Sequence, residues 1–454
     1  MDSIHTVYQR MKDFADLPAI YSQSKTYSYS EMVELIENWR KRLKVDSVSS
    51  GNVCAVYGDF SVQTCSLFFA MMLEQVIIVP LTSSIEKEME EYKKIAGVQS
   101  MYFCDEAEIR FETYSNIAQN ELVEKFRSQK SPGLIVFSSG STGKPKGILQ
   151  DCERVMRKFV QQRQGWKTVL FLMMDHFGGF NTFLSTFAYG GTAICVKTRS
   201  PEDVLFAIQE GKATLLPTTP TFINLMLASG IYRQFDLSSV QLITYGTEVM
   251  PEATLKKVRE VFVNCQIKQT YGLSELGVLR SKSENDSSVW LKVGGDGFEV
   301  KIVDNILWIR SEANMIGYLN APQPFDEEGW MSTQDEVEVR GEYIRIIGRK
   351  TEMINVGGQK VFPAEVETVL LEAPNVKQAT VYGVKHPLMG NVVNARISLY
   401  EEEAPDVLST RLRKLCMEKL AKYKVPVRFI IVQEEDQRNE RFKKIRKISD
   451  EEGA

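Results

Sequence analysis

The sequence predicts an α/β protein of two unequal parts. Short apolar runs alternate with amphipathic segments along most of the chain, as strands and helices do when they follow one another. The run "GLIVFSS" passes straight into the glycine-rich stretch "GSTGKPKG", so a strand ends at a loop, at the carboxyl edge where α/β proteins bind ligands. Beyond "YGLSELG" the texture turns to alternating, strand-rich segments, and from Thr351 onward strand and helix patterns resume in a smaller unit.

The elements read in order as follows. "SEMVELIENWRKRL" has helical spacing, with Ser30 placed as its N-cap. "NVCAVYG", "VIIVPL" and "GLIVFSS" are buried strands. "FEVKIVDNILWIRS" and "DEVEVRGEYIRIIGR" are the strand-rich middle, and "PAEVETVLLEA" and "STRLRKLCMEKLAKY" are helices of the smaller unit. The opening "MDSIHTVYQRMKDFADLP" mixes both charges and lacks the apolar core of a secretory signal. "SLFFAMMLEQVIIVPL" is interrupted by Glu74 and Gln75 and is too short for a membrane span.

Composition narrows the function. The 454 residues are 43% apolar and 25% charged, with a net charge of −4, the balance of a soluble enzyme and not of a nucleic-acid binder. Seven cysteines lie scattered without a C-x-x-C pair, which fits a reducing cytoplasm. The only histidines are His5, His176 and His386, too few for a histidine-rich metal centre, and without a G-x-S-x-G elbow a Ser-His-Asp hydrolase is disfavoured.

"FSSGSTGKPKG", Phe137 to Gly147, has the chemistry of an anion cradle: glycines admit close approach, hydroxyls donate, and Lys144 and Lys146 add charge. It is not a Walker loop. Ser138 stands where the first glycine belongs, Pro145 stands where the Mg²⁺-binding hydroxyl belongs, and the proline keeps Lys144 out of a helix. That weakens a kinase reading, which would release ADP.

Further along come "YGLSE" (Tyr271 to Glu275), "TQD" (Thr333 to Asp335) and "GRKTEMINVGGQKVFPAEVE" (Gly348 to Glu367). With these the chain resembles the adenylate-forming superfamily: acyl- and aryl-CoA ligases, peptide-synthetase adenylation domains and luciferases. The resemblance runs from "TYSYSEM" to "LAKYKVPVRF", nearly the whole chain. It implies an adenylation core over residues 1–349, made of two α/β subdomains and a distorted β-barrel. A mobile α+β C-terminal domain over residues 350–454 would swing about Thr351.

The same resemblance assigns a site. Ser138, Ser139, Gly140, Ser141, Thr142, Gly143 and Lys146 would hold the ATP phosphates, with Thr142 among the catalytic groups. Gly246, Thr247 and Glu248 would lie against adenine, beside Tyr271 and Gly272. Ser274 would sit by the α-phosphate, Glu275 would bind Mg²⁺, and Asp335 with Arg349 would take the ribose hydroxyls. His176 and Phe177, with Gly246 and Gly272, would line the acyl pocket; Gly357 and Gly358 would clear a tunnel for coenzyme A. In "RFKKIRK" the catalytic lysine is Lys444, or Lys443 if the alignment shifts by one.

Amino-acid-activating relatives place an aspartate where this chain has Phe177, so a buried ammonium would lack a partner and amino acids are disfavoured. The surroundings of Phe177, Phe180 and "LLPTTPTF" suit an aryl, fatty or other apolar acid. Coenzyme A is the expected acceptor; a separate carrier protein, or a nucleotide-binding module without turnover, are the alternatives. Gln334, Thr351 and Lys443 depart from the family's residues at their positions.

Overall fold

The structure, a computed structural model, describes residues 2–104, 109–115, 117, 120–139, 144–295, 297–433, 435–438, 444 and 446. Two seven-stranded sheets dominate it. The first runs in space Gln266–Gln269, Leu242–Tyr245, Leu215–Thr218, Lys167–Val169, Thr192–Ile194, Pro18–Ser22 and Lys25–Ser28, all parallel but for the last pair. The second runs Gly317–Tyr318, Pro145–Asp151, Gly133–Ser139, Ile77–Leu81, Val53–Tyr57, Ser100–Cys104 and Ile109–Thr113, parallel at its centre. The central strands are apolar throughout because helices cover both faces.

The two sheets meet through helices. Val62–Leu73 crosses over in the second sheet and Phe177–Ala188 in the first, and their aromatic faces interlock. Phe68 packs on Phe180 at 5.6 Å between ring centroids, Phe69 on Phe183 at 5.1 Å and on Phe187 at 5.6 Å. The first and last are edge-to-face, and such aromatic pairs add about 0.5–1.5 kcal/mol each beyond area burial. Phe180 is thus a core residue, and so is Phe222, which lies 4.4 Å from Phe171.

The helix Tyr29–Val45 is capped by Ser28, whose side chain accepts from the Glu31 amide while Glu31 returns the bond to Ser28. Ser30, the expected cap, is the helix's second residue; the capping box selected the serine three positions before the glutamate.

Downstream, six antiparallel strands run Arg280–Ser283, Leu291–Gly294, Tyr343–Arg349, Met331–Arg340, Ile306–Ser311 and Phe298–Val303. A five-stranded sheet with helices Pro363–Leu370 and Pro405–Lys419 then encloses a separate core from Ile354 to Phe429. It touches the larger part where Asn224 Nδ2 donates to the Lys377 carbonyl at 2.9 Å. Among the described residues no helix is long and apolar enough to cross a membrane, and the seven cysteines are free thiols.

Candidate active site

The glycine-rich loop joins two antiparallel strands. Ser139 pairs with Pro145, Ser138 with Lys146 and Phe137 with Gly147, so the chain turns back on itself as a hairpin and Pro145 opens a strand. A Walker loop would lead into a helix; this one cannot. Gly140, Ser141, Thr142 and Gly143 lie outside the described residues, as does the side chain of Ser139.

Asp335 and Arg349 face each other on neighbouring strands, and Arg349 Nε donates to Asp335 Oδ1 at 3.1 Å. The buried Tyr271 hydroxyl donates to Asp335 Oδ2 at 2.5 Å. Burial first, and then the Asp335 charge, push the Tyr271 phenol well above its ordinary range, so it stays a donor. A carboxylate has about four acceptor positions. Two are used here, leaving room for a diol.

The strand that presents Asp335 is strained at the residue before it. The Asp335 amide donates to Thr333 Oγ1 at 3.1 Å, and Gln334 between them adopts φ +63°. That is the conformation glycine tolerates, which accounts for a glycine at this position in the family pattern. Replacing Gln334 by glycine is expected to stabilise the protein by about 0.5–1 kcal/mol, the strain relief less glycine's entropy. Denaturant titration of Gln334→Gly against the parent checks this, and a loss of stability would show that the strand is not strained at Gln334.

Tyr318 brings the loop strand and the "YGLSE" segment together. Its hydroxyl donates to Glu275 Oε1 at 2.7 Å, and Lys146 Nζ sits 5.1 Å from its ring centroid. Gln150 Nε2 holds the Ser274 carbonyl at 2.5 Å, and the Met315 amide holds the Glu275 carbonyl at 2.8 Å. Tyr318 and Gln150 were not singled out from the sequence; their only signal there was a polar residue in a strand. Among the described residues no group of three or more acidic, histidine or cysteine side chains could cage a metal. A single carboxylate such as Glu275 is compatible with Mg²⁺, an ion that keeps few protein ligands and shares substrate phosphates.

Gly246 to Glu248 are held from two sides. A Cβ on Gly246 would lie 2.7 Å from Thr270 Oγ1, so the close approach requires glycine. Glu248 Oε2 accepts from the Thr221 hydroxyl at 2.5 Å and from its amide at 3.2 Å, and Thr247 has φ +70°. The acyl-pocket candidates also converge. Phe177 is buried at the first turn of its helix, which His176 precedes, and a Cβ on Gly277 would meet the Phe177 ring at 4.0 Å. Gly277–Val278 pairs with Gly272–Leu273.

Lys444 lies beside Glu248: its backbone amide is 3.4 Å from Glu248 Oε1. Its ammonium, however, binds Glu367 Oε2 at 2.7 Å, and Arg446 donates to both oxygens of the same carboxylate at 3.3 and 3.0 Å. Burial would raise the Glu367 carboxyl, but Arg446 and then Lys444 outweigh it and hold it down at about 2. A depressed carboxyl stabilises the fold above its usual range and loses that contribution as pH falls through it towards about 2. Glu367→Gln is therefore expected to be several kcal/mol less stable at neutral pH. Its gap from the parent should shrink as pH falls below about 4.5, as followed by circular dichroism melts. Lys443 lies outside the described residues.

Gly357 and Gly358, with φ +57° and +85°, form the exposed turn between strands Ile354–Val356 and Gln359–Val361. Positive φ at both central residues is what a two-residue hairpin turn demands. Thr351 lies exposed in the single turn Lys350–Glu352 that follows Arg349.

Comparison with known proteins gives the same architecture a family. Residues 7–319 match the AMP-binding enzyme family, and residues 365–443 match the AMP-binding enzyme C-terminal domain. The chain belongs to the AMP-binding enzymes. A curated relative, 2-succinylbenzoate–CoA ligase of Bacillus subtilis, is 24% identical over 454 aligned positions, covering 91% of both chains. Among solved structures, the anthranilate CoA ligase AuaEII bound to anthranoyl-AMP superposes with a TM-score of 0.79 at 19% identity, over 96% of this chain and 94% of its own. The o-succinylbenzoate CoA synthetase of Bacillus subtilis with its acyl-adenylate gives 0.76 at 20% identity, over 97% of each chain. The AMP-binding fold of this chain is therefore that of the adenylate-forming ligases.

Proposed function

We propose that this AMP-binding enzyme joins a carboxylic acid to coenzyme A in two steps. In the first, a carboxylate oxygen attacks the α-phosphorus of ATP, the bond to the bridging oxygen breaks, and pyrophosphate leaves. In the second, the thiol sulfur of coenzyme A attacks the acyl carbon of the adenylate and AMP departs. The observation that carries the reading is the pair of groupings one residue stretch apart: Tyr271–Asp335–Arg349 and Glu275–Tyr318–Lys146. The first offers a buried acceptor to a diol; the second gathers a carboxylate and an ammonium around one tyrosine, which supports a site for a metal-bound polyphosphate.

In this reading Asp335 accepts from the ribose hydroxyls, and Tyr271 with Gly246 to Glu248 flank the base. Lys146 faces the phosphates, and Glu275, oriented by Tyr318, would hold Mg²⁺, which would offset phosphate charge. Lys444 donates to the α-phosphate as charge shifts there. His176, Phe177 and Gly272 bound the acid, and Gly357 and Gly358 pass the pantetheine arm. Residues 1–349 form the core and 350–454 the lid, turning at Thr351. The relatives named as CoA ligases support coenzyme A as the acceptor.

Incubation with Mg-ATP, hydroxylamine and a panel of acids, scoring pyrophosphate against ADP, tests it. Acid-dependent pyrophosphate is the expected product, and a thioester should appear when coenzyme A replaces hydroxylamine. ADP, or no response to any acid, overturns the proposal.

A further inference from the structure

Behind the acyl-pocket residues lies a lysine that the adenylation chemistry does not use. Lys158 Nζ donates to Asn181 Oδ1 at 2.5 Å and to the Val278 carbonyl at 3.4 Å. Asn181 is one helical turn from Phe177, on the same face of the helix Phe177–Ala188. Val278 is the strand partner of Gly272 and the neighbour of Gly277, whose Cα faces the Phe177 ring. Both hydrogen bonds of the ammonium therefore lead back to Phe177 and Gly272, the proposed walls of the acid site.

The environment is unusual for a cation. Both acceptors are neutral, and no carboxylate among the described residues lies within ion-pair distance of Nζ. The Phe159 ring is 5.0 Å away, and the charge that acts on the ammonium is another cation, Arg280. Burial, with a smaller contribution from Arg280, pushes the ammonium down to about 7. A lysine kept only as a strut between an amide oxygen and a carbonyl carries that desolvation cost for two bonds a neutral donor would make. An ammonium has three donors. The third has no protein acceptor among the described contacts, and the residue keeps some accessible surface although protein surrounds its tip.

We propose that Lys158 selects acids that carry a second anionic group remote from the carboxylate being activated, a dicarboxylate above all. The inference rests on the adenylation reading and sharpens it: the pocket is apolar along its sides but cationic at its end. An acid with a purely apolar tail would leave the ammonium unpaired, whereas a distal carboxylate would pair with it through a charge-assisted bond. The relative named for 2-succinylbenzoate acts, by that name, on a molecule with two carboxylates.

The test compares two non-hydrolysable acyl-sulfamoyl-adenosines by calorimetry, one bearing the 2-succinylbenzoyl chain and one the same chain without its ring carboxylate. Octanedioate and octanoate serve as a second pair, read by pyrophosphate release. The parent enzyme is expected to prefer the anionic member of each pair by roughly 10- to 100-fold, the worth of one hydrogen bond to a charged group. Lys158→Met should bring that ratio near one with little change for the neutral member, while Lys158→Arg should retain a preference. Lys158→Gln, which keeps a donor for Asn181, should behave as Lys158→Met and guards against a folding defect. Equal binding of both analogues by the parent, or an unchanged ratio in Lys158→Met and Lys158→Gln, overturns the selectivity and leaves the adenylation reading intact. Failure of either analogue to bind at all, together with no pyrophosphate from any acid, overturns both.

Discussion

Lys444→Ala is expected to lower acid-dependent pyrophosphate release by roughly 10²- to 10³-fold, the usual cost of removing one donor from developing charge. Substrate affinities should change little, because the group acts on charge that appears as the carboxylate attacks. Reaction of a supplied acyl-adenylate with coenzyme A should persist, since that step does not pass through the α-phosphate in the same way. The geometry adds a condition. In this structure the Lys444 ammonium is held by Glu367, and it must leave that carboxylate to reach a phosphate. Arg446 donates to both Glu367 oxygens, so the buried carboxylate keeps a full partner when the lysine departs. Arg446→Ala should therefore slow adenylation as well, by tying Lys444 to Glu367. Rapid-quench measurement of the two half-reactions separates these cases. Equal loss in both halves for Lys444→Ala would assign the lysine a structural role, and full loss in Lys443→Ala instead would move the assignment by one residue.

The second large effect is at Asp335. Its replacement by alanine removes the acceptor for a diol and also strands the buried Tyr271 hydroxyl and Arg349. ATP affinity should fall by roughly 10- to 100-fold, from hydrogen bonds to a charged acceptor worth about 1.5–3 kcal/mol. Stability should fall by about 1–3 kcal/mol from the orphaned donors. Isothermal titration with ATP and with 2′-deoxy-ATP discriminates the causes. The parent should distinguish the two nucleotides and Asp335→Ala should not. If the variant still distinguishes them, the ribose contact lies elsewhere. Tyr271→Phe offers a milder control, since it removes the donor and spares the carboxylate.

The fold class was legible because its signals are local and periodic. Continuous apolar runs gave the central parallel strands, and the alternating segments around "NILWIRS" and "VEVRGEYIRI" gave the antiparallel hairpins. The loop from Phe137 to Gly147 excluded a Walker geometry on two residues, and the hairpin at Ser139 and Pro145 supplies the physical reason. Asp335 and Arg349 were paired by the family resemblance alone, and strand register supplies the physical reason that they are neighbours. What sequence could not convey is which polar residue orients which. Tyr318 reads as one aromatic among many until its strand pairs with Ile148 and brings its hydroxyl to Glu275. Lys158 reads as one more charge in a basic stretch, and Glu367 as the end of a helix motif, until tertiary packing buries them. Ser30 failed as a cap for a simpler reason: two serines compete, and the glutamate three residues after Ser28 decides between them.

The aromatic ladder between the two large sheets bears on how this protein can change. Phe180, Phe183 and Phe187 lock one side of the helix Phe177–Ala188 against Phe68 and Phe69, so that helix cannot shift to admit a wider or longer acid. Phe177 and Asn181 flank the lock, Phe177 against Gly277 and Asn181 against Lys158. New substrate scope must then arise by exchanging side chains on a wall that stays still. Directed evolution towards a neutral fatty acid should collect its mutations at Lys158 and Asn181 and leave the phenylalanines untouched, with thermal stability preserved while selectivity drifts.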